Sequence, residues 1–342
     1  MKKIFLVCCI ASFALINCTL KHSNNKKPKL VVGIVIDQMR YDYLTRFADK
    51  YGDDGFKRIL KDGFNLENAH YNYIPTYTAV GHTSIYTGAT PESHGIIGNN
   101  WYDKYAKKSI YCVDDNRYVT VGSDSKTGQK SPYRMQTTTI TDQLRLAQNM
   151  QGKTISIAIK DRSAVLPGGH TANAAYWFDG GDQGKWVTSS FYLESLPQWV
   201  KDFNDSDKLE NYLNTPWNTL YDIDDYTESI VDDNAFEKPF KGKNNTAFPY
   251  DIDKLRAKNS NYSLIKEIPA GNSYTTDFVK AAIDGEQLGQ SEYVDFLAIS
   301  YSSTDYIGHQ FGVDSKEIQD TYLRIDKDLA DLFDFLDKKV GS

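Results

Sequence analysis

The chain has 342 residues and a formal net charge of −6. It is long enough for one large domain or two ordinary ones. Its acidic balance excludes the broad basic surface that nucleic-acid binding needs, while leaving room for a small cationic pocket.

The first residues, Met1-Lys-Lys-Ile-Phe-Leu-Val-Cys-Cys-Ile, join a basic start to an apolar core. That core is too short to span a bilayer comfortably and reads as a signal peptide over residues 1–19. The expected location is therefore periplasmic or secreted. Leu15-Ile-Asn-Cys18 also resembles a loose lipobox, although Asn17 is a poor residue before the cysteine. A lipid anchor at Cys18 is the one membrane attachment this reading allows. Residues 20–28 form a polar tether, and 29–342 make up the folded portion. Cys8, Cys9 and Cys18 belong to the leader, which leaves Cys112 alone in the body. An internal disulfide framework and a cysteine-based metal site are both excluded.

Leu30-Val-Val-Gly-Ile-Val-Ile36 is a continuous β-branched run, expected as a central parallel strand buried on both faces. It ends in Asp37, where open α/β sheets gather their ligands. A helix cap is the plain alternative for that carboxylate. Residues 41–51 and 55–60 look helical, and 64–71 alternate enough to predict a second strand. Pro75-Thr-Tyr-Thr78-Ala-Val-Gly-His82 then opens a helix that stops at Gly88. Thr78 is a good N-cap type. A hydroxyl there also lies beside unpaired backbone N–H groups that favour a phosphate.

Residues 90–95 predict a turn and short helix, and the Tyr-rich section from Asn99 onward predicts hairpins. A helix over 139–150 precedes a buried strand over 154–159. Lys160-Asp161-Arg162 follows directly. Two cations at a strand's ligand end suit an anion, phosphate above all. Residues 174–179 continue as strand. The polar stretch at about 196–270 is read as an insertion capping one end of the sheet. A helix at 274–288 and a strand at 294–300 lead into Ser302-Ser-Thr-Asp305-Tyr-Ile-Gly308-His309. One helical turn puts Asp305 and His309 on the same face. A carboxylate with an imidazole suits zinc or a similar divalent ion, and Gly308 leaves room beside them. Residues 315–338 form a last long helix whose aspartates, from Asp326 to Asp337, read as a solvated face. His70, His82, His94 and His170 are taken as structural.

The assembled set is Asp37, Thr78, Asn99, Lys160, Arg162, Asp305 and His309. A threonine hydroxyl is a weak nucleophile until it is deprotonated, and metal coordination does that. Asn99, Lys160 and Arg162 would serve the non-bridging phosphate oxygens. Spacing alone leaves Thr76, Thr78, Thr83 and Ser84 open as the nucleophile.

These motifs, with Tyr86-Thr-Gly-Ala-Thr-Pro-Glu-Ser-His-Gly95 and Gly168-Gly-His170, resemble the alkaline phosphatase superfamily. The resemblance is greatest to its PafA-type periplasmic phosphatases, which are similar to type I phosphodiesterases and nucleotide pyrophosphatases. It implies an α/β fold with a mostly parallel central sheet and helices on both faces. It also implies two zinc ions, Thr78 as the phosphorylated nucleophile, and hydrolysis of small phosphate monoesters by a monomer. Asp37, Thr78, Asp305 and His309 would be metal ligands, and Asn99, Lys160 and Arg162 would bind phosphate. Lys160 and Arg162 reward the extra charge of a monoester, so a diesterase or pyrophosphatase is the second choice. A sulfatase is excluded, because no Cys/Ser-x-Pro-x-Arg motif is present.

One departure stands out. The family takes further ligands from an Asp-His pair and a later histidine, and neither follows His309 here. The chain is therefore expected to be the N-terminal part of a longer protein, or a truncated product. It would hold at most half of each metal site and leave a raw sheet edge. An inactive, anion-binding export protein is the alternative of a different kind.

Overall fold

The computed structural model describes residues 27–181 and 183–341. The leader, Cys18 and most of the tether lie outside them. Among the described residues, no helix is long and apolar enough to cross a membrane.

Among the described residues eight strands form: β1 (Leu30–Ile36), β2 (Asn100–Asp103), β3 (Lys108–Tyr111), β4 (Thr120–Val121), β5 (Thr154–Ala158), β6 (Ala174–Asp179), β7 (Lys185–Ser189) and β8 (Asp295–Tyr301). Six make one sheet in the order β1-β8-β5-β6-β7-β4, and β2 pairs with β3 as a separate hairpin. The β1–β8, β8–β5 and β5–β6 pairs are parallel, whereas β7 and β4 close the sheet in antiparallel fashion. The sheet is mostly parallel, as the sequence implies.

Period-two alternation sorts the strand residues between two cores. Ile155, Ile157, Tyr176, Phe178, Leu297 and Ile299 pack on one face, against Tyr274 and Phe278 of the helix Ala270–Glu286. Ala158, Ala175 and Trp177 pack on the other, against Ala164, Val165 and Leu166 of the helix Asp161–Gly168. Small residues face that second helix, so it lies close to the sheet. On the first face, Trp186 stacks on Phe278 with ring centroids 4.2 Å apart. Such a pair adds about 1 kcal/mol beyond the area it buries.

Three expectations need correction. β1 is half-buried rather than fully buried, because among the described residues it pairs on one side only, with β8. The predicted strand at 64–71 is a loop. Phe64 there is 88% exposed and finds no strand to pair with, and Asn65 and Asn68 favour turns instead. The last helix, Lys316–Lys339, does not carry a wholly solvated acidic face. Asp326 is buried and accepts the backbone N–H groups of Gly52, at 2.8 Å, and Phe56, at 2.8 Å. The stretch 196–270, whose internal structure the sequence leaves open, joins the same hydrophobic core as the sheet despite its polar composition. Trp217 and Tyr250 bridge through their main chains and stack with Phe240, Phe248 and Phe311 around them. Burying several large rings compensates for the scarcity of long apolar runs.

Candidate active site

The parallel order β1-β8-β5 sets three strand ends side by side. Asp37 follows β1, Lys160 lies just beyond β5, and Asp305 lies one turn beyond β8. The Asp37 N–H donates to the Tyr301 carbonyl at 3.0 Å, which carries the β1–β8 ladder one residue further. The Thr304 hydroxyl donates to the Asp37 carbonyl at 2.6 Å. Gln38 takes φ 62°, in the left-handed region, and its side chain fills the space over Gly308. A Cβ at Gly308 would meet Gln38 Oε1 at 1.8 Å, so a side chain there would have to displace the Gln38 amide. The room expected beside Gly308 is therefore taken by Gln38.

Thr78 opens the helix Thr78–Thr87. Tyr77, not Thr78, is the N-cap, and no side chain caps that end from within the helix. The Thr78 hydroxyl instead donates to Asp37 Oδ2 at 3.3 Å. Asn99 supplies the missing cap from outside: its Oδ1 accepts the Ala79 N–H at 2.9 Å. That bond uses one of the orphan donors of the first turn and leaves the Asn99 amide NH₂ as its remaining polar group.

Lys160 Nζ sits 2.6 Å from Asp37 Oδ2 and also donates to Asp305 Oδ2. Its side chain is 1% exposed and lies 4.8 Å from the ring centre of Tyr306. A buried ammonium needs such partners. Burial alone would raise the Asp37 carboxyl. The Lys160 charge, with Arg162 behind it, outweighs burial and holds Asp37 below the usual carboxylate range. His309 Nε2 lies 3.3 Å from Asp305 Oδ1, and its side chain is 72% exposed. Burial pushes the Tyr306 hydroxyl up to about 12, so it keeps its proton.

Six of the seven sequence candidates thus form one connected chain of contacts, if the helix start of Thr78 is counted as the link to Asn99. Arg162 is held apart in a second unit. Its Nη1 donates to the Tyr111 hydroxyl at 3.0 Å, and that hydroxyl donates to Asp161 Oδ1 at 2.5 Å. Arg162 Nε is buried without a partner among the described residues.

Sequence reasoning overlooked two positioning residues. His82 was assigned to structure, and it is buried; its position, however, is against the candidate nucleophile. Its Nδ1 donates to the Thr78 carbonyl at 2.8 Å, and its Nε2 accepts from the Ser300 hydroxyl of β8 at 2.8 Å. The i,i+4 spacing from Thr78 was the available signal. Tyr111 lies on the separate hairpin 50 residues before Asp161, and nothing local marks it. His94 and His170 do serve structure, bonding Ser84 and Asp142 respectively.

The donor set suits a divalent cation in kind. Two carboxylates converge on one positive centre, the Lys160 ammonium, with a hydroxyl on one side and an imidazole on the other. Among the described residues, no three His, Cys, Asp or Glu side chains gather into a complete metal cluster. The site therefore brings together part of a ligand shell.

Fold and site together define an α/β protein that presents a threonine hydroxyl to paired carboxylates at the carboxyl edge of a mostly parallel sheet. The chain belongs to the type I phosphodiesterase / nucleotide pyrophosphatase family, whose model matches residues 31–341. It is 53% identical to alkaline phosphatase PhoV of Synechococcus elongatus over 92% of its length. It is 51% identical over 98% of its length to a Myroides odoratus protein named as a calcium-transporting ATPase. The crystal structure of alkaline phosphatase PafA superposes with a TM-score of 0.89 at 49% identity, over 92% of this chain and 60% of that one. A second PafA structure has one threonine changed to serine and an asparagine, a lysine and an arginine changed to alanine; it superposes at 0.88. The chain spans about 60% of the length of these relatives (57% of PhoV).

Proposed function

We propose that the protein carrying this chain is a zinc-dependent alkaline phosphatase that hydrolyses phosphate monoesters through phosphorylated Thr78. The observation that carries the reading is the aim of the Thr78 hydroxyl. It points out of the first helical turn onto Asp37, which shares a single cation with Asp305.

The Thr78 oxygen, its proton lost to solvent, attacks phosphorus, and the ester P–O bond breaks with its electron pair leaving on the alcohol oxygen, which takes up a proton from solvent. Water then cleaves the phosphothreonine and releases phosphate. Asn99, Lys160 and Arg162 hold the non-bridging oxygens. Two zinc ions, held in part by Asp37 and Thr78 and in part by Asp305 and His309, would supply Lewis acidity to the attacking and leaving oxygens.

The substituted PafA supports these roles. Its altered threonine and asparagine stand 21 apart, and its altered lysine and arginine stand two apart. Thr78 and Asn99, and Lys160 and Arg162, have the same spacings. The relative's calcium-transporting ATPase name is compatible, since removing a terminal phosphate from ATP is phosphoryl transfer of the same kind. The same reading has the protein exported, with its leader 1–19 removed and lipidation at Cys18 as the variant form.

The full-length protein should hydrolyse an aryl phosphate at alkaline pH and lose that activity to a chelator. Thr78→Ala should lower kcat/KM by about 10³-fold or more. Unchanged activity would remove Thr78 as nucleophile. Replacing Lys160 and Arg162 together with Ala should cost monoesterase activity far more than diesterase activity. Equal losses would favour the diesterase reading that the family name carries.

A further inference from the structure

A second pocket opens beside His309, away from Thr78. Tyr306 and His309 line it from the helix Ser303–Phe311; Lys238, Phe240 and Lys241 line it from the stretch 196–270. The main chain fixes both lysines in place. The Lys238 N–H donates to the Gln310 carbonyl at 2.9 Å, and the Gln310 amide donates back to the Lys238 carbonyl at 3.0 Å. Asn259 does the same for Lys241: its Oδ1 accepts the Lys241 N–H at 3.0 Å, and its Nδ2 donates to the Lys241 carbonyl at 2.9 Å.

The side chains are spared by this arrangement. Among the described residues, neither ammonium has a hydrogen-bond or ion-pair partner, although the chain as a whole is acidic. Glu267 is the one carboxylate in the pocket wall. Burial raises its pKa against the pull of Lys266 and Lys241, and two ammonium groups stand against its one carboxylate.

Direction matters here. In-line displacement sends the leaving group away on the far side of phosphorus from the attacking oxygen. Of the two carboxylates, Asp37 accepts from Thr78, whereas Asp305 adjoins His309. A leaving group opposite the Thr78 oxygen would lie on the Asp305–His309 side of the site, and the pocket lined by Lys238 and Lys241 adjoins His309 on that side.

We propose that Lys238 and Lys241 form a subsite for negative charge carried by the leaving group itself. The substrates it favours are nucleoside di- and triphosphates attacked at their terminal phosphate. The inference rests on the phosphatase reading above. Such exposed cations act over about 10 Å at 0.1 M salt, so the preference is salt-sensitive.

The test compares ATP with phenyl phosphate, whose leaving group brings no charge of its own, on the full-length protein. In Lys238→Gln/Lys241→Gln, kcat/KM for ATP should fall about tenfold, mainly through KM, with phenyl phosphate within about twofold. The wild-type preference for ATP should shrink at 0.5 M salt in the same sense. The substitutions leave the main-chain clamps intact, and the retained phenyl phosphate activity reports folding. Parallel losses on both substrates, an unchanged ATP value, or a wild type that cleaves phenyl phosphate but not ATP would each overturn the subsite. A wild type that cleaves neither would overturn the phosphatase reading and the subsite with it.

Discussion

The ammonium of Lys160 lies 2.6 Å from Asp37 Oδ2, although 123 residues separate the two in the chain. β8 brings them together. It lies between β1 and β5, so the carboxyl ends of those strands open onto one short edge, and Asp305 arrives from β8 itself. The ion pair is nearly dry, at 1% and 10% side-chain exposure. Such a pair contributes little over a hydrophobic substitute, but it is costly to leave half-made.

Asp37→Ala should therefore destabilise the protein by about 2–3 kcal/mol, below the 3–5 kcal/mol typical of an orphaned buried charge, because Asp305 still pairs with Lys160. Adding Lys160→Met should recover part of that loss. Urea unfolding in the presence of a chelator would measure the cycle. Strictly additive costs would mean that the two side chains do not depend on each other in solution.

His82 holds the Thr78 carbonyl rather than its hydroxyl, so it acts by position. His82→Ala should reduce kcat about tenfold with KM changed less than about twofold, since ground-state phosphate contacts remain. Ser300→Ala should follow in the same direction with a smaller effect. A rise in KM at constant kcat would place His82 in substrate binding instead.

His94 makes the fold acid-sensitive. Burial lowers it from 6.5 to about 4. Its Nδ1 accepts the Ile96 N–H at 3.1 Å, so a proton added there would face a donor. Between about pH 4 and 6.5 the unfolded chain binds more protons than the folded one. The contribution of His94 is thus complete above 6.5, declines on acidification and levels off below about 4. The shift corresponds to at most about 3 kcal/mol, and about 2 kcal/mol once partial screening is allowed for. Denaturant titrations across this range should show a shallower slope for His94→Asn.

Glu317 behaves oppositely. Burial, reinforced by Glu237 and Asp232, pushes it up to about 8 from 4.5, against the pull of the Tyr250 hydroxyl. One oxygen of each of these three acids is buried without a partner among the described residues. The folded state holds the extra proton, so stability falls as pH rises from 4.5 through about 8. Glu317→Gln should gain roughly 3 kcal/mol on wild type between pH 6 and pH 9, read from Tm or urea midpoints. A pH-independent difference would show that Glu317 ionises normally in the fold.

Much of this organisation is legible in the chain. The runs ending at Ile36 and Ala158, and the run before Tyr301, mark parallel strands, because a sheet with helices on both faces favours apolar, β-branched sequence even in β1, which is only half-buried. Asp37, Lys160 and Asp305 stand out because each follows such a run. The four-residue step from Asp305 to His309 is a local property of helix geometry. The loop at 64–71 was misread because alternation without a pairing partner makes no strand. Asp326 was misread because helix periodicity does not reveal that the backbone of Gly52 and Phe56 lies against it.

Residue type and short-range spacing determined which groups are available at this edge: a hydroxyl at a helix start, two carboxylates, an imidazole and two cations. Only the tertiary structure decided how they are shared. It gave Lys160 to Asp37 and Asp305, Arg162 to Tyr111, the Thr78 carbonyl to His82, and Lys238 and Lys241 to the wall beside His309. Those pairings join segments far apart in the chain, and strand order and helix packing choose between them, which no local pattern encodes.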